Sequence, residues 1–448
     1  MPAQRNLDDE RLLMVAQLLN RLIPAALFSG SLLGFWMMAR CSRLWIEAGY
    51  CELLCYPMCC ITMVTIALRD DYATGYRAAR AALETALVRG HGGLEEARAQ
   101  HAFGLFACHW FQPLIDDLGH ARAAFAGLLR AGDLEFANFT FFNALATLFD
   151  TCAQLAEMDA ELAAAIGFAR KTGSRHSEQA YLPYRQLARA LECKTHARGG
   201  FADADFDDQA HLAAIRGNAM ALAFYHTYRA LGACLFNDTA GLSRHAEAAV
   251  GLSRHISGFY PTALAMFLQS LALIEQLRVT DEAGRPALLE RLGASQTWLA
   301  ARAADAPMNF GHLHDLVEAE RLDVLEQPWD ALQRFERAMR HAGAQQHPWH
   351  QALITERAGH CYLRRGLEDA GRALLARAHA HYRQWGPWVR RGRCATPGLF
   401  WTPALQAVCG IASATPWTMR HCCAPPRPWL PNARCRDWLR EWWSWWAN

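Results

Sequence analysis

Residues 330–339 read DALQRFERAM, and the spacing of their apolar members decides the fold. Ala331, Leu332, Phe335, Ala338 and Met339 fall at i, i+1, i+4, i+7 and i+8. That spacing makes one face of a 3.6-residue helix. AARAALETALV (78–88) repeats it with Ala79, Ala82, Leu83, Ala86 and Leu87. Nearly every segment up to about residue 390 reads the same way, as the period-3.6 rule predicts. Alternating Val/Ile/Thr/Tyr runs closed by Asn-Gly or Asp-Gly do not occur, so nothing predicts a hairpin.

The breaks between these helices are short. Asp70-Asp71, Gly132-Asp133, Gly173-Ser174, Asn237-Asp238 and Pro307-Met308-Asn309 each precede an apolar-periodic stretch. An Asp, Asn or Ser there can accept a bond from the unpaired amides of a first helical turn. Pro261, Pro328 and Pro348 stand where a helix start tolerates a missing donor. The expected fold is therefore all-α, an array of antiparallel helix pairs. Asp330-Ala331-x-x-x-Phe335 matches Asp369-Ala370-x-x-x-Leu374 at an offset of 39 residues, and Ala338 matches Ala378 with a slip of one more. Period and residue classes suit a lengthened, degenerate tetratricopeptide unit forming an α-α superhelix, with an irregular all-helical domain as the alternative. Pairs that must stack on their neighbours predict an extended groove and no reaction pocket.

Five segments carry a family resemblance: RLLMVAQLLNRLIPAALF (11–28), LRDDYATGYRAARAAL (68–83), FYPTALAMFLQSLALI (259–274), PMNFGHLHDLVEAERL (307–322) and LLARAHAHYRQWGPWVRR (374–391). In this order they resemble the helical stretch of large bacterial and fungal signalling proteins. Those proteins join a serine/threonine-kinase-like domain, an AAA-type ATPase domain, the helical stretch, a GAF domain and a sensor histidine kinase. The most specific landmarks are Asn309-Phe310-x-His312 with Glu318-Ala319-Glu320, and Tyr382-x-x-Trp385-Gly386. The resemblance implies a helical-repeat segment at 1–393 that connects or regulates ATPase and kinase domains. Its expected partners are protein segments or those neighbouring domains. Residues 394–448 depart from the pattern, with 8 of the 16 Trp, 5 of the 15 Cys and 7 of the 18 Pro. That tail reads as disordered or as an out-of-frame translation.

Composition narrows the function. The formal net charge is +2 over 448 residues, which argues against a nucleic-acid binder because such proteins need a basic excess. The charge-free runs 22–39 and 53–68 hold 18 and 16 residues, short of the roughly 20 a membrane span needs. They are expected in the core. The N-terminus MPAQRNLDDERLL is acidic where a secretory signal is basic, so a cytoplasmic chain with free thiols is expected.

Catalytic machinery is sought and not found in the sequence. No Gly-x-x-x-x-Gly-Lys-Ser/Thr, Gly-x-Gly-x-x-Gly, His-Arg-Asp or Asp-Phe-Gly occurs, so phosphoryl transfer has no recognisable parts. A non-enzyme without cofactor is expected. The alternatives are a helical sensor arm of an ATP-dependent transcription regulator and an enzyme with an unrecognised site. His312-x-His314, with Asp315 and Glu318, offers metal donors but matches no zinc spacing, and no metal site is expected. Cys51, Cys55 and Cys59, four apart on one helix face, read as small hydrophobes. Asn309 is expected to cap a helix over 311–325 while Phe310 packs back on the preceding unit. The functional alternative has Glu318 and Glu320 facing a groove that meets a basic partner.

Overall fold

Helices begin where a side chain meets the unpaired amides of the first turn. In the computed structural model, which describes residues 6–28, 32–90, 92–345 and 347–386, six Asx residues do this. Asp9, Asp71, Asp133, Asp207, Asn218 and Asp238 each accept from the amide three residues on. Pro261, Pro307, Pro328 and Pro348 occupy first-turn positions. Helix ends turn at Asp70, Gly132, Gly173 and Asn237, all with positive φ. The sequence expectations for 394–448, and for the end of the 374–391 landmark, lie outside the described residues.

The amino-terminal helices are α1 (Glu10–Phe28), α2 (Leu32–Ala48), α3 (Cys55–Cys59), α4 (Ile61–Arg69) and α5 (Tyr72–Arg89). Next come α6 (Leu94–Phe106), α7 (Leu114–Arg130), α8 (Leu134–Thr151), α9 (Ala156–Thr172), α10 (Arg175–Leu191) and the short α11 (Asp208–Ala214). They are followed by α12 (Ala219–Leu235), α13 (Thr239–Leu252), α14 (Pro261–Val279) and α15 (Arg285–Asp305). The last are α16 (Pro307–Val324), α17 (Pro328–Ala344), α18 (Pro348–Arg364) and α19 (Glu368–Trp385). Among the described residues there is no strand, only two isolated bridges. The all-α array of helix pairs is what the structure shows.

From α6 onward the even-numbered helices form an inner layer, each touching the next even one, and their odd partners pack outside. The pair α18/α19 approaches closely because Gly359 and Gly371 face each other. A Cβ on Gly371 would stand 3.0 Å from the Gly359 carbonyl oxygen. The repeat positions Ala331, Phe335, Ala338, Leu374 and Ala378 are all buried.

The inner side differs from the groove that stacking predicts. The layer curls until α18 meets α8, the second inner helix. Every residue of α8 from Phe136 to Asp150 is buried. Its phenylalanines reach several neighbours at once: Phe142 stacks on Phe224 of α12, and Phe149 meets Tyr228 and Trp385. The amide of Leu155 donates to the Trp385 carbonyl oxygen at 2.6 Å, tying the end of α19 to the turn after α8. Aromatic side chains thus fill the space an open superhelix leaves as a groove.

At the amino-terminal end, α3 packs on α5 and α6, and Tyr56 meets Phe136 of α8 edge-on. Cys51, Cys55, Cys59 and Cys60 are free and buried there. Burial pushes the Cys41 and Cys55 thiols up to about 12, so they stay protonated and act as apolar volume. Among the described residues one stretch, Glu52–Arg69, is long and apolar enough to cross a membrane, with mean hydropathy 1.4, and 67% of it is buried inside the protein.

Candidate functional site

Three groups of buried polar side chains mark where the array closes. The first centres on Asn309. Helix α16 starts at Pro307, because proline is tolerated at a first helical position. Asn309 therefore lies inside the helix and does not cap it, contrary to expectation. Its side chain crosses to the turn before α7, where Oδ1 accepts from the Leu114 amide at 2.9 Å. Nδ2 donates to the His109 and Gln112 carbonyl oxygens, both at 2.7 Å. Leu114 opens α7, whose own flanking residue, Pro113, offers no side-chain cap. Asn309 is a cap after all, for a helix 195 residues away. Phe310 stacks on Tyr260 of the preceding pair, as expected, and also on Trp110. Beside them His109 Nδ1 and Asp117 Oδ2 pair at 2.9 Å with no exposure to solvent.

One turn along α16, His312 enters the second group. His347 flanks the start of α18 and His350 sits in its first turn. One ligand atom from each of the three imidazoles lies within 4.8 Å of the others. His312 Nε2 and His350 Nδ1 stand 2.5 Å apart, and the three rings stack with centroids 4.6–5.0 Å apart. His347 points one nitrogen at the Asp150 carbonyl oxygen (3.3 Å) and the other at the Met308 carbonyl oxygen (3.2 Å). The Asp150 carboxylate accepts from Trp349 Nε1 at 2.8 Å and lies 3.6 Å from His350 Nε2. Burial drives His312 and His350 well below the usual histidine range, so both are neutral at pH 7. Burial also pushes the Asp150 carboxyl up to about 6. His312 Nδ1 and His350 Nε2 have no hydrogen-bond partner, and the Tyr260 hydroxyl also donates to the Asp150 carboxylate.

The residues that the sequence groups with His312 go elsewhere. His314, two positions on, lies 3.7 Å from Asp315, and Asp315 is held by Arg334, Arg337 and His341 at 2.9–3.1 Å. Glu318 pairs with Arg321 and accepts from Gln296. Residues two apart on a helix point in different directions, which separates His314 from His312.

The third group is ionic. Glu320 is buried between Arg278 and Arg357 of α14 and α18. Asp323, one turn on, takes Arg278, Arg364 and Arg365 at 2.7–3.0 Å. These guanidinium groups hold both carboxyls below the usual carboxylate range, despite burial. The basic partner expected for Glu320 is this chain's own arginine pair. Tyr382 is equally internal, its Oη donating to Glu356 at 3.0 Å, and Trp385 is packed against Phe149.

Outside, α16, α17 and α18 border a groove of about 790 Å³ lined by Glu318, Leu322, Trp329, Arg337, Arg340 and Tyr362. Trp329 is 76% exposed at its rim. Of the expected interaction residues, Glu318 alone reaches this groove. The residues that sequence reading missed are Asp150, His347 and His350. The available signals were a lone acid at the end of the apolar run of α8 and a histidine before Pro348. No protein-family model and no curated protein matches this chain.

Proposed function

We propose that the chain is a non-catalytic, tetratricopeptide-like scaffold or regulatory segment of a cytoplasmic signalling protein of the ATPase/histidine-kinase type. Its task is to hold neighbouring domains or protein segments. The observation that carries this reading is the outer groove with Trp329 exposed beside Arg337 and Arg340. A large exposed aromatic next to cations is what protein-contact hot spots are made of. A near-neutral chain without a basic stripe favours protein over nucleic acid as the partner. The buried apolar stretch Glu52–Arg69 favours a core helix over a membrane span.

The test is titration of the full-length chain against an isolated AAA-type ATPase domain and a sensor histidine-kinase domain. Saturable binding to one of them, weakened about tenfold or more by Trp329→Ala, is the expected result. ATP hydrolysis by the purified chain alone would overturn the reading.

A second reading, an enzyme with an unrecognised site, draws on one observation: Asp150, His312 and His350 lie together with displaced proton affinities. Against it stands burial. Each of Asp150, His312, His347 and His350 is at most 3% exposed, and a substrate needs an entrance.

A further inference from the structure

The histidine cluster gathers three buried imidazoles at one place. A neutral imidazole has one N–H and one lone pair. His312 Nε2 and His350 Nδ1 face each other at 2.5 Å and share one such donor–acceptor pair. Their outer nitrogens are buried: His312 Nδ1 has no hydrogen-bond partner and His350 Nε2 lies 3.6 Å from Asp150 Oδ1, while the Tyr260 hydroxyl donates to the same carboxylate. With His347 the two rings make three buried imidazoles whose ligand nitrogens all lie within 4.8 Å of one another, an arrangement of lone pairs that suits a shared cation.

We propose that His312, His347 and His350 bind one divalent transition-metal ion. The ligand atoms are His312 Nε2, His350 Nδ1 and one ring nitrogen of His347, the first two already side by side. Tetrahedral sites with bonds of about 2.0–2.1 Å separate their ligand atoms by about 3.3 Å. The 2.5 Å pair must therefore open, and His347 must close in from within 4.8 Å. Both are side-chain movements of about an ångström, of the order of the 2.0–2.1 Å bond they create.

The surroundings suit such an ion. A metal-bound histidine usually donates its other N–H to a carboxylate or a carbonyl oxygen. With Nδ1 on the metal, His350 presents Nε2–H to Asp150 Oδ1, now 3.6 Å away, and Trp349 Nε1 steadies that carboxylate. His347 keeps one of its two carbonyl contacts when the other nitrogen turns to the ion. Three imidazoles select Zn²⁺, Co²⁺, Ni²⁺ or Cu²⁺ over Ca²⁺ or Mg²⁺, which prefer oxygen. Because the ligands are sealed in the core, the ion is structural. It fastens α16 to α18 and, through Asp150, both to α8.

The experiment uses the full-length chain, stripped with a chelator and loaded with Co²⁺ or Zn²⁺. About one equivalent of either ion should bind, and Co²⁺ should show an intense visible band of tetrahedral type without thiolate-to-cobalt charge transfer. His312→Ala should abolish this, whereas His196→Ala, on an exposed loop, should not. Asp150→Asn, which preserves shape, should weaken Co²⁺ binding about 10- to 100-fold, as loss of an orienting carboxylate does. A purely structural carboxylate would leave the Co²⁺ affinity unmoved. Helical wild-type chain that binds neither ion overturns the proposal. So does a thiolate band, which would move the ion to cysteines, or binding that survives His312→Ala.

Discussion

The two ends of the helical array are held by different forces. At the amino-terminal end, α1–α4 pack mostly apolar side chains and neutral thiols around a single polar tie, Asn20 to Leu53 and Glu95, and they leave Met14, Leu18, Leu22 and Leu33 facing outward. At the other end, α16–α19 bury Glu320, Asp323, His312 and His350, and every one of these meets a named group on another element. Apolar burial is non-directional and tolerates a bare outer face. Buried ions and hydrogen bonds are costly unless complete, so they favour one arrangement. The comparison teaches that the closing end specifies how the array meets α8 through many buried polar ties, whereas the amino-terminal end relies chiefly on apolar cover with one such tie at Asn20.

Substitutions can break or sharpen this contrast. The largest effect is expected at Trp385, where Trp385→Ala empties the junction with Phe149. Chemical denaturation should show a loss of about 3–5 kcal/mol, the usual cost of removing a buried Trp. Asn309→Ala comes next. It leaves the Leu114 amide and two carbonyl oxygens unpartnered, for a loss of about 2–3 kcal/mol in the same assay. Asp238→Ala, an ordinary surface cap, should lose only about 1 kcal/mol.

A pH titration probes the buried histidines. Burial pushes His101 down to about 3, and no other group opposes it. Unfolded histidine takes up a proton near 6.5, so the contribution of a depressed His is full above that value and falls as pH drops below it. Glu320 and Asp323, also depressed, keep theirs above the unfolded carboxylate range and lose it only in stronger acid. Stability should therefore already decline between pH 7.5 and 5.5. His101→Gln should reduce that decline by about 1 kcal/mol, one pKa unit's worth. The smallest effect belongs to the bare end: Leu18, 57% exposed, should tolerate Leu18→Ala within about 0.5 kcal/mol. A larger loss would mean that its outer face is covered.

The fold class was legible because 3.6-residue periodicity and Asx caps are local properties, readable within one turn of the chain. Asn309 stood out in the sequence for a related reason, but Pro307 moved the helix start and sent the side chain to a distant amide. The histidine cluster was not legible. His347 and His350 reach His312 across 35 and 38 residues, and the neighbouring His314 points away. Periodicity tells which face of a helix is apolar and not what covers it. For that reason α18 meeting α8 was hidden, and an open groove was expected in its place.

Helix α8 has a further consequence. Asp150 waits for Trp349, 199 residues later, and Phe149 waits for Trp385. At about 5–20 residues per second, a ribosome takes roughly 10–40 s to deliver the closing helices. During that interval a phenylalanine-rich segment emerges before the helices that complete its cover, so the newborn chain carries exposed apolar surface until they arrive.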